Sequence, residues 1–119
     1  MIQHVSLECR PEDAGDLLRF WCALGFEEVE PPETLRARST WVQAPGGSQV
    51  HFLWTAEPVA PPGGHTAVVA RDYEATLATL RAGGYEPEPR EQHWGAPRAF
   101  VRGPGGHLVE VMAAPPGEG

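Results

Sequence analysis

The sequence predicts an α+β fold made of two βαβββ repeats, and two features of the chain lead to this prediction. The first is internal repetition: "PGGSQVH" at residues 45–51 returns as "PGGHLVE" at residues 104–110. The second is that each block ends a stretch of one strand-like, one helix-like and three further strand-like segments. Repetition at a fixed spacing indicates a duplicated unit. Because a sheet with a helix on one face needs a partner for its other face, we expect the repeats to form a pseudo-twofold open barrel or cup, within one chain or across a dimer.

The repetition extends beyond these two blocks. At the same spacing of 59 residues, Trp41 aligns with another aromatic residue, Phe100. His4 and His65, which are 61 residues apart, each open a strand-like run. We therefore predict one domain over residues 1–119, with a first repeat at 1–57, a linker at 58–64, a second repeat at 65–113 and a tail at 114–119.

Each repeat contains one predicted helix. In the first repeat, Pro11 suits an opening helical turn, and apolar residues then recur at helical spacing until Gly25. In the second repeat, Asp72 can cap the helix and Gly83–Gly84 ends it. The apolar stripes are Ala14, Leu17, Leu18, Trp21 and Leu24 in the first helix and Tyr73, Leu77 and Leu80 in the second.

Each repeat also contains four predicted strands. They are expected at 2–9, 26–31, 38–43 and 48–54 in the first repeat, and at 65–70, 85–89, 97–102 and 107–112 in the second. The "PGG" before each last strand predicts a hairpin turn, because glycine adopts a positive φ with little strain.

Composition excludes several classes of function. The chain has a net charge of −7, and all nine of its basic residues are arginine, so we expect no nucleic-acid partner. No apolar run is long enough to cross a bilayer, and the N-terminus lacks a secretory signal pattern, so we expect a cytoplasmic protein without membrane contact. Cys9 and Cys22 are then expected to be buried, reduced thiols.

Four side chains of the metal-ligating types occupy related positions in the two repeats. The repeat relates His4 to His65 and His51 to Glu110. If the first and last strands of each repeat are neighbours, these four side chains can converge, and strand alternation turns them toward a walled interior. A buried carboxylate needs a compensating partner, and a divalent metal suits two or three imidazoles with one carboxylate.

A structural role is the alternative for each of these residues taken alone. A histidine in a strand is most often a hydrogen-bonded structural residue. Glu110 can instead pair with an arginine such as Arg98 or Arg102. Only the joint placement of the four residues at repeat-related positions favours a metal site, whose ion would be Fe, Ni, Zn, Mn or Co.

Four motifs resemble the vicinal oxygen chelate superfamily, which contains glyoxalases, bleomycin resistance proteins and extradiol dioxygenases. These motifs are "IQHVSLEC", "RFWCALGFE", "GGHTAVVARD" and "GPGGHLVEVM", and they cover nearly the whole chain. The resemblance implies a glyoxalase-like fold with His4, His65 and Glu110 as metal ligands. The fourth ligand position of the family is Glu or Gln in many members, whereas here it is His51. His51 is therefore expected either to bind the metal or to act as an acid/base or as a hydrogen-bonding residue in the wall of the site.

The resemblance implies a metal-dependent enzyme of the lyase, isomerase or dioxygenase type, in which the metal chelates adjacent oxygens of a small substrate. Glu110 and His51 are its expected catalytic residues, with His93 as another acid/base candidate in the dioxygenase style. We expect Trp54, His93, Trp94 and Arg98 to bind the substrate, together with Trp41. A surface hairpin is the equal alternative for the segment around Trp94. His107 is expected to be a solvated turn residue.

The competing interpretation is a metal-free binding protein. Bleomycin resistance proteins, which the chain also resembles, hold an aromatic cationic drug in an acidic groove of a dimer. The net charge of −7 and the four tryptophans favour this interpretation. Both interpretations imply a small-molecule ligand and a homodimer.

Overall fold

A computed structural model describes residues 1–117 of the chain, so the last two residues of the predicted tail lie outside the described residues. The chain divides into two compact units, with unit 1 at Met1–Ala60 and unit 2 beginning at Pro61. This division falls inside the predicted linker. None of the helices in the described part is both long and apolar enough to cross a membrane.

Unit 1 is a four-stranded sheet with one helix. Its elements are β1 (His4–Cys9), α1 (Ala14–Ala23), β2 (Glu27–Val29), β3 (Ser39–Gln43) and β4 (Gln49–Trp54). The strand order is β1-β4-β3-β2. β1 and β4 are parallel neighbours, whereas the other two pairs are antiparallel.

Unit 2 repeats this topology. Its elements are β5 (His65–Val69), α2 (Tyr73–Ala82), β6 (Glu88–Pro89), β7 (Arg98–Arg102) and β8 (Leu108–Met112). The strand order is β5-β8-β7-β6, with β5 parallel to β8. The predicted α+β fold with two βαβββ units is thus confirmed. The condition placed on the candidate ligands, that the first and last strands of each unit are neighbours, is also met.

Alternation along the strands gives each sheet a core face and a second face that we call the helix-free face. In unit 1, α1 buries Leu17, Phe20 and Trp21. The Trp21 ring packs against Phe52 of β4, with ring centroids 5.8 Å apart. The buried apolar residues of unit 2 include Leu77, Leu80, Val101, Val109 and Val111. The residues between the core positions on each strand therefore lie on the helix-free face.

Two strands are shorter than predicted. The segment predicted as a strand at 85–89 forms only the two-residue β6, and the one at 26–31 forms only the three-residue β2. Both are the last strands in their sheets and pair on one side only. Both predicted segments end in a proline, Pro31 and Pro89. Because proline donates no backbone hydrogen bond, it limits further strand pairing.

Two side chains differ from their predicted environments. Cys22 is exposed, because it lies one residue after Trp21 and so about 100° around α1 from the buried stripe. His107, predicted to be solvated, is only 3% exposed. It precedes β8 in alternation with Val109 and Val111, and this places it on the core face rather than in solvent.

The two "PGG" segments form related turns. Gly47 N donates to Ala44 O at 2.9 Å, and the equivalent Gly106 N donates to Gly103 O at 3.0 Å. In the second turn Gly105 has φ 77° and ψ 0°, as required at the third position of a type II turn. Its counterpart in the first turn, Gly46, has no positive φ. The backbone hydrogen bond is therefore repeated, but the turn type is not.

Candidate functional site

The sheet register places His4 and His51 side by side on the helix-free face of unit 1. In the parallel pairing of β1 with β4, His4 lies opposite Gln49, and Ser6 lies opposite His51. In the antiparallel pairing of β3 with β4, Trp41 lies opposite His51. Neighbouring positions on one face of a sheet bring side chains into contact.

These three rings form a stack. The His51 ring lies parallel to Trp41, with centroids 3.6 Å apart and an interplanar angle of 4°. His4 covers the same imidazole at 4.0 Å and 18°. The stack leaves His51 only 7% exposed. Burial lowers the pKa of His51, and the nearby charge of His4 lowers it further, so His51 is neutral at pH 7.

Glutamine side chains set the tautomers of these histidines. Gln49 donates through Nε2 to Gln43 Oε1, which leaves Gln49 Oε1 to accept from His51 Nε2 at 2.8 Å. Neutral His51 therefore carries its proton on Nε2 and its lone pair on Nδ1. The Gln3 oxygen lies 2.7 Å from His4 Nδ1, and this contact favours a free lone pair on His4 Nε2.

Unit 2 presents a second pair of side chains on its helix-free face. His65 lies at the start of β5, and Glu110 lies in β8, where it is opposite Ala67 and Phe100. His65 Nε2 is 3.2 Å from Glu110 Oε1. The other ring nitrogen, Nδ1, is 3.1 Å from the backbone carbonyl oxygen of Gly63. Because a carbonyl only accepts hydrogen bonds, this contact fixes a proton on Nδ1.

Arg98 compensates the charge of Glu110. Its Nη1 donates to Glu110 Oε2 at 3.2 Å, and the two side chains are only 11% and 8% exposed. Arg98 Nε donates to Glu91 O at 2.8 Å. The guanidinium also lies 5.4 Å from the ring centroid of Phe100 and 5.9 Å from that of Trp94. Glu110 therefore pairs with an arginine, as the structural alternative predicted, and that arginine is Arg98.

The donor atoms are compatible with a metal ion at the unit 2 pair. Bonds of about 2.1 Å from one ion to a nitrogen and an oxygen at adjacent positions place those donors roughly 3 Å apart. His65 Nε2 and Glu110 Oε1 meet this condition at 3.2 Å. The Gly63 carbonyl on the other ring nitrogen is the usual outer partner of a ligating histidine. Within residues 1–117, no group of three or more His, Cys, Asp and Glu side chains is arranged to hold a metal ion.

The predicted substrate-binding residues lie in different environments. Trp54 donates through Nε1 to Thr40 Oγ1 at 2.9 Å, and Trp94 donates to Ala114 O at 3.0 Å. His93 is exposed, with its ring centroid 6.3 Å from that of Trp94. Arg98 is occupied by Glu110 and Glu91. Of these four residues, only Trp54 lines the cavity of unit 1, and none lines the cavity of unit 2.

Each unit has a cavity lined by one residue of its donor pair, His51 in unit 1 and His65 in unit 2. That of unit 1 has a volume of about 320 Å³ and is lined by Leu35, Arg38, Ser39, Trp41, His51, Leu53 and Trp54. That of unit 2 has a volume of about 630 Å³, and its lining includes His65, Tyr85, Glu86, Glu88, Arg90, Phe100 and Arg102. Both volumes fall within the range of small-molecule sites.

Sequence reasoning missed the residues that orient the donors. Gln3, Gln43 and Gln49 set the histidine tautomers in unit 1, and the Gly63 carbonyl does so in unit 2. Gln49 shares a strand face with His51, so alternation could have identified it. The Gly63 carbonyl carries no signal in its residue type. Arg38 was also missed as a cavity residue, although it directly precedes β3.

Known proteins share this fold. A glyoxalase family protein from Bacillus anthracis matches with a TM-score of 0.83 and 22% identity, covering 94% of this chain and 93% of that one. The oxidase ChaP-H2 matches with a TM-score of 0.74 and 20% identity over 100% and 97% of the two chains. A lactoylglutathione lyase from Agrobacterium tumefaciens matches with a TM-score of 0.69 and 18% identity over 94% and 92%.

At these identities the structural likeness shows the fold alone, and no curated protein sequence matches the chain. The family model of the Glyoxalase/Bleomycin resistance protein/Dioxygenase superfamily matches residues 2–111, which is nearly the whole chain. The protein therefore belongs to the glyoxalase/bleomycin resistance protein/dioxygenase superfamily.

Proposed function

We propose that the protein is a metal-dependent enzyme acting on a small molecule, of the lyase, isomerase or dioxygenase type. The metal ligands in this proposal are His65 and Glu110 of unit 2. His4 and His51, the other two residues predicted as ligands, belong to unit 1. A divalent ion such as Fe, Ni, Zn, Mn or Co suits these nitrogen and oxygen donors. The lyase and the oxidase among the structural relatives support an enzymatic role.

One observation carries this proposal. The Gly63 carbonyl holds the proton of His65 on Nδ1, so the lone pair of Nε2 points at Glu110 Oε1 from 3.2 Å. Two acceptor atoms at this distance repel each other unless a positive charge lies between them. That charge is either a second proton on the imidazole or a metal ion. The carbonyl behind the ring, typical of ligating histidines, favours the metal ion.

The side chains then have separate roles. When bound, the metal supplies Lewis-acid stabilisation for negative charge that develops on substrate oxygens. His65 and Glu110 Oε1 hold the ion, and Arg98 holds the second carboxylate oxygen in place. Because Arg98 already neutralises Glu110, this carboxylate is better suited to ligation than to proton removal.

His51 is the better candidate for proton transfer. Its lowered pKa keeps it neutral at pH 7, and Gln49 fixes its proton on Nε2, so that Nδ1 can accept a proton. Its ring is also held rigidly between His4 and Trp41. A base in a fixed orientation needs no reorganisation when the reaction occurs.

Metal analysis of protein purified without a histidine tag tests the proposal. We expect one equivalent of a divalent ion, and we expect His65→Gln and Glu110→Gln each to weaken metal binding at least tenfold in calorimetry. His93→Gln is the matched control, because His93 is exposed and distant from these donors in the chain, and it should bind metal as the parent does. Equal metal affinity in the parent, His65→Gln and Glu110→Gln proteins would contradict the proposal.

A metal-free binding protein is the second candidate, and the Arg98–Glu110 ion pair favours it. Arg98 gives the carboxylate a buried partner without any metal, which removes one of the reasons for expecting an ion. A protonated His65 would complete the neutralisation. Titration with a cationic glycopeptide drug, followed by tryptophan fluorescence, separates the candidates. Tight drug binding by protein that holds no metal supports this second function and contradicts the first.

A further inference from the structure

We propose that the cavity of unit 1 binds planar aromatic carboxylates, with the ligand ring against Trp41 and Trp54 and its carboxylate on Arg38. This inference names the ligand class of the proposed function and rests on that function for any role in turnover. The binding itself depends only on unit 1. It departs from the sequence-based expectation that His93, Trp94 and Arg98 receive the ligand.

The shape and walls of the cavity select a flat ring. Its volume of about 320 Å³ is at the small end of the range for ligand sites and suits a molecule of one or two rings. Trp41 and His51 lie parallel, and Trp54 provides a second indole in the lining. Aromatic rings gain stabilisation from stacking beyond the burial of their area, so flat partners are favoured here.

Three uncharged polar groups of the cavity are already paired within the protein. Ser39 Oγ donates to Leu35 O at 2.8 Å, and Trp54 Nε1 donates to Thr40 Oγ1 at 2.9 Å. His51 Nε2 donates to Gln49 Oε1. With these groups paired inside the protein, the aromatic and aliphatic side chains Trp41, Trp54, Leu35 and Leu53 form an apolar wall.

Arg38 supplies the charge selectivity. Throughout the described part of the chain, its guanidinium has no ion pair or side-chain hydrogen bond, although the net charge of the protein is −7. Its neighbour Arg36, by contrast, pairs with Glu30 at 3.3 Å and donates to Pro31 O. Among the residues that the structure describes, no carboxylate lines the cavity. A planar guanidinium matches the two oxygens of a carboxylate, so an anionic substituent is the complementary group.

The larger cavity of unit 2 lacks this selectivity. Two carboxylates, Glu86 and Glu88, line it together with its two arginines. Glu88 pairs with Arg90 at 2.9 Å, and Arg102 donates to the carbonyl oxygens of Pro62 and Gly106. An anion there meets carboxylates as well as guanidinium groups, so charge does not favour its binding.

Calorimetric titration with 2-naphthoate and its neutral analogue 2-naphthamide tests the inference. We expect the protein to bind the naphthoate about tenfold more tightly, because only the carboxylate can form a charge-assisted pair with Arg38. Arg38→Gln should remove this preference while leaving the dissociation constant for naphthamide unchanged. Arg36→Gln, the matched control two residues away, should keep the preference. The inference is overturned if the parent protein shows no preference, or if Arg38→Gln retains it.

Two further titrations locate the ligand and distinguish this inference from the metal proposal. Trp41→Leu should weaken both probes by the same factor, and unchanged binding of both would place them outside this cavity and overturn the inference. The parent protein is also titrated after chelation of divalent metals. A retained preference for naphthoate supports the inference even where the metal proposal fails. Metal binding without naphthoate binding overturns the inference alone.

Discussion

At the scale of single residues, the two oxygens of Glu110 have different partners. Oε2 faces the guanidinium of Arg98, and Oε1 faces the imidazole of His65, each at 3.2 Å. The carboxylate is almost completely removed from water, so its charge depends on these two neighbours. Arg98 is itself fixed by Glu91 O, and it packs beside Phe100. We infer that Arg98 is a positioning residue for Glu110 whether or not a metal is bound.

Replacement of Arg98 tests this dependence. Arg98→Met keeps much of the side-chain volume but leaves a buried carboxylate without its cation, so we expect the free energy of unfolding to fall by about 3–5 kcal/mol. The double variant Arg98→Met/Glu110→Gln should recover at least half of this loss, because no charge is then left buried. Urea unfolding of metal-depleted protein at pH 7 measures both values.

The matched control for this prediction is Arg90→Met. Arg90 pairs with Glu88 on the surface, where both side chains are about half exposed or more, and exposed pairs contribute about 1 kcal/mol or less. Losses of equal size for Arg98→Met and Arg90→Met would show that the buried pair does not hold Glu110. Failure of the double variant to recover stability would show that Arg98 acts through packing alone.

At the scale of elements, the repeat preserves backbone hydrogen bonds more closely than side chains. Phe26 N donates to Trp21 O at the end of α1, and Tyr85 N donates to Leu80 O at the end of α2, both at 3.0 Å. Gly25 and Gly84 stand at these two exits with φ 95° and 92°. These glycines supply the left-handed backbone that ends a helix. The backbone turns are therefore repeated in both units, whereas the candidate donor side chains differ between the units.

The first "PGG" turn offers a direct test of this backbone requirement. Gly47 has φ 98°, whereas Gly46 does not have a positive φ, and an added Cβ meets no atom within 4 Å at either position. Gly47→Ala should therefore lower the free energy of unfolding by about 1–2 kcal/mol through backbone strain alone. Gly46→Ala should leave it unchanged or raise it by up to about 1 kcal/mol. Urea unfolding of the two variants side by side measures the difference, and equal effects would contradict it.

The sequence predicted elements that leave a periodic pattern and missed contacts that do not. Alternation and repetition predicted the βαβββ succession of elements and the burial of His51 and Glu110, whereas the order of the strands within each sheet and their parallel pairing were not predicted. The same alternation places His107 on the core face. It was predicted to be solvated because it directly follows a glycine turn. The choice between Arg98 and Arg102 as partner of Glu110 depends on strand register, since Arg98 lies opposite Met112 and Arg102 opposite Leu108. No residue pattern fixes that register in advance.

At the scale of the whole molecule, buried groups in both units make stability depend on pH. The pKa of His51 is lowered from 6.5, so the stability it contributes is present above pH 6.5 and is lost as the pH falls below it. Burial, with the charge of Asp13, raises the pKa of Cys9 from 9.0 to about 11. The stability from Cys9 is present below pH 9.0 and is lost as the pH rises toward 11. Burial also raises the pKa of Tyr73 above 10.0, so the stability that it contributes is lost as the pH rises above 10.

We therefore expect the free energy of unfolding to be greatest between about pH 6.5 and pH 9 and to fall by about 2 kcal/mol between pH 9 and pH 11 through Cys9. Urea unfolding under reducing conditions at intervals from pH 5.5 to pH 11 measures this profile. Cys9→Ala is expected to be less stable throughout because it leaves a small cavity, so the slope with pH is the informative quantity. That slope should be flatter than in the parent protein above pH 9, and His51→Gln should be flatter below pH 6.5. Parallel profiles for the parent and Cys9→Ala above pH 9 would show that the buried thiol does not ionise on unfolding, and the alkaline loss would then have to come from other groups such as Tyr73.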